Sequence, residues 1–150
     1  MDALDLALVQ ALRDNPRAGD LELSRLTQVA RATVQSRLKK LEESGIITGY
    51  RAILSPLKLG LTHVTYVEVS MSDTRQKALE EFNAAVRLIP EVEECYMIAG
   101  GFDYQLKIRS RDMAHFRQVM AERISTLPYI TSTSSYVAME AVVEQNWTAI

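Results

Sequence analysis

One stretch of sequence, residues 34–50 (VQSRLKKLEESGIITGY), decides how the N-terminal part of the chain folds. Its apolar residues Val34, Leu38 and Leu41 recur at spacings of four and three, which is the periodicity of one face of an α-helix. Gly45 follows directly, and glycine commonly ends a helix because it adopts the left-handed conformation without strain. The stretch therefore predicts a helix that ends at Gly45.

Two shorter helices are predicted upstream of this one. The first ends near Pro16, since the residue before a proline disfavours the helical conformation, and its apolar residues fall at helical spacing: Leu4, Leu8, Ala11 and Leu12. We expect the second to be capped by Asp20 and to contain Leu23 and Leu26. Three short helices, with the second and third only a few residues apart, are typical of a helix-turn-helix.

The face of the third helix opposite its apolar stripe indicates nucleic-acid binding. The whole chain is mildly acidic, with a net charge of −2 and a pI near 5.7, yet no acidic residue lies between Arg25 and Lys40. Small side chains allow close approach to a major groove, glutamine pairs with adenine, and basic side chains hold phosphates. The alternative is the solvated face of a packing helix. The candidate DNA-binding residues are Ser24, Arg25, Arg31, Ala32, Thr33, Gln35, Ser36, Arg37, Lys39 and Lys40.

The second half of the chain predicts an α+β fold. Strands rich in β-branched or alternating apolar residues are expected over residues 62–71, 92–99, 104–109 and 129–139. Two helices lie between them, with the apolar stripes Leu79, Phe82, Val86, Ile89 and Met113, Phe116, Met120, Ile124. The order β-α-β, β-α-β, with a Gly100-Gly101 turn between the halves, is that of the ferredoxin-like arrangement.

The chain is thus divided into a helix-turn-helix DNA-binding domain (1–48), a linker with a β-strand (49–61) and an α+β domain (62–150). Both helices of the last domain must cover one face of the sheet, so its other face needs a partner subunit. We therefore expect a homodimer. No apolar run approaches the roughly 20 residues of a membrane span. The single cysteine, Cys95, allows no disulfide framework and fits a reducing cytoplasm.

Several motifs in this order resemble one family of transcription regulators. They are residues 23–26 (LSRL), the 34–50 stretch quoted above and residues 101–104 (GFDY), and the resemblance runs from about Leu4 to Val143. Over this length the chain is similar to the Lrp/AsnC family (feast/famine, leucine-responsive regulatory protein-like). The resemblance implies a winged-type helix-turn-helix followed by a ferredoxin-like βαββαβ domain of the RAM type.

The same resemblance implies a function. It points to a sequence-specific transcription regulator that binds double-stranded DNA and whose binding and assembly are modulated by a small effector, an amino acid or a related molecule. It further implies that dimers pair through their sheets and assemble to tetramers or octamers. Such a protein would be cytoplasmic and associated with the nucleoid.

Two residues depart from the family pattern. The turn before the third helix usually has a glycine followed by a serine cap, whereas this chain has Gln28 and Ala30. We expect Gln28 to adopt the left-handed conformation at some cost. The third helix then lacks a side-chain N-cap, a contribution of about 0.5–2 kcal/mol, unless Thr27 caps a differently placed start.

The resemblance places the effector between dimers, near the loop that joins the second and third strands. In this chain that loop is residues 99–103, where two glycines offer N–H groups to a carboxylate and Asp103 can hold an ammonium group. The apolar members favour a leucine-, methionine- or aromatic-type effector, although the glycines could form only a hairpin turn and the methionines only fill the core. The candidate effector-binding residues are Met97, Gly100, Gly101, Phe102, Asp103, Met113, Thr131, Ser132, Thr133, Ser134, Tyr136 and Val137.

Two other functions compete with this interpretation. A nucleoid-type architectural protein without a small effector would use the same helix and the same dimer. A small enzyme would need a constellation such as a Cys-His pair, for which only Cys95, His63 and His115 are available. The sequence has no nucleophile elbow, phosphate loop or metal-ligand cluster. We therefore predict no catalytic residue, no metal site and no cofactor.

Overall fold

The computed structural model describes residues 1–144, and the chain divides into two compact units after Ala52. The first unit is helical, and the second combines a sheet with helices. Residues 145–150, which the predicted domain 62–150 includes, lie outside the described residues. Within residues 1–144 no helix is long and apolar enough to cross a membrane.

The first unit consists of three helices: α1 (Ala3–Asp14), α2 (Asp20–Thr27) and α3 (Arg31–Glu43). Their apolar stripes meet in a small core formed by Leu8, Leu12, Leu23, Val34 and Leu41. Helix α2 contains Leu23 and Leu26 as predicted, and of the two only Leu23 is buried, since Leu26 is 63% exposed. Asp20 is the first residue of α2 and not its cap, which is Gly19.

Helix α3 ends as the sequence predicts. Gly45 has a φ of +73°. Its N–H donates to the carbonyl of Glu42, and the N–H of Ile46 donates to the carbonyl of Leu41, both at 3.0 Å. This pair of bonds is a Schellman motif, which satisfies carbonyls that a helix end leaves unpaired. Ile47 then packs against the three-helix core, so the motif also directs the chain back onto the unit.

The turn between α2 and α3 contains the expected backbone strain. Gln28 lies in the left-handed region, with φ +57° and ψ +33°, and Ala30 precedes α3 without a side-chain cap. Thr27 does not cap α3 in its place, because its hydroxyl donates to the carbonyl of Leu23 at 2.7 Å. The chain thus makes the turn without the residues that usually ease it.

Replacing Gln28 by glycine is expected to stabilise the first unit by about 1 kcal/mol. The left-handed conformation costs roughly 1–2 kcal/mol for a residue with a side chain, and the backbone entropy of glycine offsets part of that gain. Urea unfolding followed by circular dichroism measures the free energy of unfolding. The control is Gln10→Gly within α1, which should destabilise by about 1 kcal/mol. Equal destabilisation by both variants would show that the turn is unstrained.

The linker differs from its prediction. Residues 44–62 form turns and irregular structure, so the β-strand predicted within residues 49–61 is absent from the described part of the chain. A strand needs a neighbour to pair with, and the four strands of the second unit pair only with one another. The segment folds instead into tight turns, in which the N–H of Leu61 donates to the carbonyl of Pro56 at 2.9 Å.

The second unit is a four-stranded antiparallel sheet with helices on one face. The elements are β1 (His63–Met71), α4 (Gln76–Val86), β2 (Val92–Met97), β3 (Tyr104–Ser110), α5 (Met113–Val119) and β4 (Ile130–Val137). The strand order β2-β3-β1-β4 is that of the predicted ferredoxin-like fold. Val67 pairs with Leu106 and Thr65 with Ile108, so these alternate positions share the helix-covered face.

The core of this unit lies between the helices and that sheet face. The predicted stripe of α4 is confirmed, since Phe82 and Val86 are buried. Helix α5 continues into a π-helical turn (Met120–Ile124). The predicted stripe is confirmed for Phe116 and Ile124, which are buried, and for Met120, which packs against the same core. Met113 was predicted in the stripe but is the first residue of α5 and is 47% exposed.

Candidate nucleic-acid interface and effector region

The outward face of α3 is the polar and basic arc that the sequence predicts. Val34 and Leu41 anchor the helix in the core of the first unit, and the opposite side faces solvent. Such an arc is what an element needs in order to enter a groove. The predicted DNA-binding residues that are exposed are Arg25, Arg31, Ala32, Thr33, Gln35, Ser36, Lys39 and Lys40.

The lysines of this arc are held only weakly by the protein. Lys39 Nζ lies 3.7 Å from Glu43 Oε1 one turn further along α3, and both side chains are exposed. An exposed ion pair of this spacing contributes little, because water screens it and ordering the side chains costs entropy. The ammonium group of Lys39 is therefore available to a phosphate.

Arg37 is turned away from the arc, toward the start of α1. Its Nη1 lies 2.5 Å from Asp2 Oδ2 and 3.0 Å from Asp5 Oδ1. These two carboxylates form a capping box, in which each accepts the other residue's backbone N–H at 3.0 Å. The N–H of Asp5, and next the guanidinium of Arg37, hold the pKa of Asp2 below its ordinary value. In this structure Arg37 ties α3 to α1.

Ser24 and Gln35 also bond within the first unit. The hydroxyl of Ser24 donates to the carbonyl of Val29 at 2.6 Å, which holds the turn between α2 and α3. The amide Nε2 of Gln35 donates to Asp20 Oδ2 at 2.5 Å across the two helices. Of these two, only Gln35 keeps its side chain on the exposed surface.

The loop between β2 and β3 is fixed to the end of β1 through Asp103. The N–H of Asp103 donates to the carbonyl of Val69 at 2.9 Å, and the N–H of Met71 donates to Asp103 Oδ2 at 2.7 Å. One carboxylate oxygen is thus committed to the backbone, and the other can accept a hydrogen bond from an ammonium group. Gly100 and Gly101 are exposed beside it, and Phe102 is half-buried.

The structure brings only some of the predicted effector residues to this loop. Strand β4 runs antiparallel to β1, with Ser132 beside Ser70 and Thr133 beside Val69, so its first residues share the end of the sheet that Asp103 occupies. Ser134 follows one position further along. The apolar candidates Tyr136 and Val137 lie at the far end of β4, opposite Tyr66 and Thr65.

The two predicted methionines also lie apart. Met97 ends β2 next to the loop and is 55% exposed, whereas Met113 begins α5 shortly after the far end of β3. Within one protomer the twelve candidates therefore form an open surface in two groups.

Cys95 is a half-buried residue of β2. Burial raises the pKa of its thiol to about 11, so the thiol is protonated at neutral pH. His63 contacts Thr65 and the ring of Phe116, and His115 Nδ1 accepts from the N–H of Arg111. In the part of the chain that the structure describes, neither histidine hydrogen-bonds to the thiol. The arrangement offers no activated cysteine.

The sheet face opposite the helices, which the sequence analysis expected to need a partner, is partly exposed. Three tyrosines of this face, Tyr66, Tyr96 and Tyr136, are between 38% and 58% exposed. A cavity of about 1020 Å³ lies beside them, between Val64 and the segment 138–144. We refer to the side bearing these three tyrosines as the open sheet face.

The open sheet face also carries a buried charged cluster, to which Glu144 from the segment 138–144 contributes. Lys107 Nζ is 3.2 Å from Glu93 Oε2 and 2.8 Å from Glu144 Oε1, and Arg109 pairs with the same two carboxylates. Burial alone would raise the pKa of Glu144, but Lys107 and Arg109 hold it below its ordinary value. The alternation of Lys107 and Arg109 with apolar residues along β3 was the signal for this cluster.

Comparison with known protein families matches both units. Residues 64–148 match a model described as the Lrp/AsnC ligand binding domain. Residues 1–48 match a model described as a winged helix-turn-helix DNA-binding domain.

Relatives are similar over nearly the whole chain. A proline dehydrogenase transcriptional activator from Rhodobacter capsulatus is 61% identical over 146 residues, which cover 97% of this chain and 95% of that protein. A second protein of that name, from Rhizobium radiobacter, is 49% identical over 144 residues, covering 96% and 92%. Among solved structures, the L-Met complex of a transcriptional regulator from Neisseria meningitidis has a TM-score of 0.87 at 29% identity, covering 100% of this chain and 96% of that one.

Proposed function

This chain belongs to the Lrp/AsnC family of transcription regulators, and from that premise we propose how its residues bind DNA, assemble and recognise an effector. The family membership confirms the resemblance predicted from the sequence motifs. The chain is a DNA-binding transcription regulator with an effector-binding domain, and its family is one of regulators and not of enzymes.

The exposed arc of α3 is the DNA-contacting surface, and it is the observation that carries the proposal. Lys39 and Lys40, with Arg31, grip phosphates, while Gln35 and the small Ala32 face the bases of a major groove. Arg37 and Ser24, which were predicted to contact DNA, support the interface by holding α3 to α1 and by fixing the turn.

Two copies pair through the open sheet face. An antiparallel sheet covered on one face only needs a second layer on the other, and exposed tyrosines are typical anchors of an interface. The pairing presents two recognition helices to a roughly palindromic site whose half-sites lie about one helical turn, roughly 34 Å, or a multiple of it apart. We propose further that the dimers assemble into tetramers or octamers. These act on the nucleoid in the cytoplasm.

The effector is an amino acid that binds where the loop 98–103 meets a neighbouring subunit. A Cβ on Gly101 would meet no atom within 4 Å, so packing within the protomer does not demand a glycine there. The free oxygen of Asp103 can take an ammonium group, and nearby N–H groups can take a carboxylate. Because the effector residues form an open surface within one protomer, the second copy completes the site.

Proline is the specific effector we propose, and a proline dehydrogenase gene is the target. Two relatives, at 61% and 49% identity, are named as activators of proline dehydrogenase. The substrate of a degradative enzyme is the signal that best reports when the enzyme is needed. Proline is compact and apolar apart from its backbone groups, which agrees with Met97 and Phe102, the apolar candidates at the loop.

The test is a DNA-binding titration on the region upstream of the host's proline dehydrogenase gene, repeated with each of the twenty amino acids. Proline is expected to change the dissociation constant by roughly 5- to 150-fold, the usual range of coupling between two sites. The other nineteen amino acids are the controls. Tight binding that ignores all twenty would support the alternative of an architectural DNA-binding protein. A response to another amino acid would refute proline as the effector, while the proposal of an amino-acid effector would stand.

A further inference from the structure

We propose that Asp20 is a specificity-determining residue of the DNA interface, because it orients the carboxamide of Gln35 toward a base. Asp20 acts through Gln35 and does not itself contact the DNA. The inference rests on the proposed role of α3 in DNA binding, and it adds a positioning residue that the basic arc alone does not suggest.

The contact joins two helices whose relative position is set by their packing. Asp20 is the first residue of α2, and Gln35 is the fifth residue of α3. Leu23 and Val34, close to each of them in sequence, are 1% and 0% exposed in the core of the unit. The 2.5 Å bond from Gln35 Nε2 to Asp20 Oδ2 therefore forms on a rigid base, at the edge of the exposed arc.

The chemistry of the two groups determines which way the amide faces. A carboxylate only accepts hydrogen bonds, so it selects the nitrogen end of the glutamine amide and excludes the oxygen end. When the carboxylate takes the N–H anti to the carbonyl oxygen, the oxygen and the other N–H remain together on one edge. That edge is the acceptor–donor pattern which pairs with N6 and N7 of adenine in the major groove.

Without Asp20 the amide of Gln35 would lose this orientation. A free glutamine on an exposed helix surface can turn its amide over and offer either end to a base pair. Holding the side chain before DNA arrives also removes part of the entropy cost of ordering it on binding. Asp20 is thus expected to make Gln35 specific for one base pair, where a freely rotating amide would accept several.

The negative charge of Asp20 means that this residue cannot contribute to specificity by attracting the DNA phosphates. A carboxylate near the phosphates opposes DNA binding, and no other acid lies between it and Lys40 except Glu22. An acid in the first turn of α2 also stabilises the helix through its dipole, and Glu22 supplies the same effect. If Asp20 only stabilised α2, substitutions of Asp20 and of Glu22 would change DNA binding alike. The proposed role predicts that they differ at one base pair.

The experiment compares four variants of the full chain: Asp20→Asn, Gln35→Ala, the double variant, and Glu22→Gln as the matched control. The preferred site is first selected from random duplexes with the wild-type protein. Affinities are then measured for that site and for duplexes in which each base pair is replaced in turn. Urea unfolding verifies that the variants are folded to a similar extent.

Asp20→Asn is expected to bind the selected site about as tightly as the wild type and to lose roughly tenfold discrimination at one A·T pair. Gln35→Ala should lose discrimination at the same pair, and the double variant should lose no more than Gln35→Ala alone. Glu22→Gln should keep the wild-type profile. If Asp20→Asn also keeps that profile, or changes it as Glu22→Gln does, the inference is overturned while the DNA-binding function stands. Failure of the wild type to bind any duplex would overturn both.

Discussion

Replacing Lys39 and Lys40 together by alanine is expected to weaken DNA binding roughly 30-fold at about 0.15 M salt. Both side chains lie exposed on the arc of α3. Each lysine that neutralises a phosphate adds about 0.9 to the slope of log affinity against log salt, so the double variant should lose nearly two from that slope. Fluorescence-anisotropy titrations at several salt concentrations measure the affinity and the slope together.

The matched control is Lys77→Ala in the second unit. Lys77 lies 3.9 Å from Glu81 one turn along α4, the same kind of exposed pair as Lys39 with Glu43 at 3.7 Å. Its removal changes the net charge of the chain without touching the arc, and we expect the slope to stay as in the wild type. An unchanged slope in the double variant would mean that α3 does not hold the phosphates.

The helices of the first unit were predictable because their information is local. Val34, Leu38 and Leu41 mark the buried face of α3, and Gly45 supplies the conformation that ends it. Periodicity is less informative at the end of a helix, where a side chain on the apolar stripe can lie beyond the core. Met113, the first residue of α5, is 47% exposed for this reason, although it continues the stripe of Phe116 and Ile124.

Polar pairings between distant residues were not predictable in the same way. Arg37 lies on the flank of α3 in any helical projection, which suggested a phosphate contact. Its true partners, Asp2 and Asp5, are more than 30 residues away in sequence. The acidic start of the chain was visible, but only the packing of α1 on α3 brings it to Arg37. The partnership of Asp20 with Gln35 has the same origin.

The positions of the candidate effector residues were predictable only in part. The loop with Gly100 and Asp103 lies where the strand order requires, at the end of β1. The apolar candidates Met113, Tyr136 and Val137 lie elsewhere, because antiparallel strands carry residues that are close in sequence to opposite ends of the sheet. Tyr136 is an example, since it pairs with Tyr66 and not with the loop end of β1. A site completed by a second subunit cannot be assembled from the periodicity of one chain.

Replacing Tyr66 by arginine is expected to convert the proposed dimer into a monomer and to weaken DNA binding at least a hundredfold. Tyr66 lies on the central strand β1, between Lys107 and Tyr136 on the neighbouring strands. A guanidinium there would be buried against the partner, and removing its charge from water costs on the order of several kcal/mol. Loss of the second recognition helix then removes the effective concentration that a linked pair provides, a factor of about 10² to 10⁴.

The separated protomer itself should remain folded, because Tyr66 is 38% exposed and contributes little to the core. Light scattering coupled to size exclusion measures the mass, and anisotropy measures DNA binding on the same samples. The control is Leu88→Arg, which introduces the same charge at a side chain that is 83% exposed beyond the end of α4. If Tyr66→Arg keeps both the mass and the affinity of the wild type, the subunits do not pair through the open sheet face. If it keeps the affinity as a monomer, one recognition helix binds DNA sufficiently by itself.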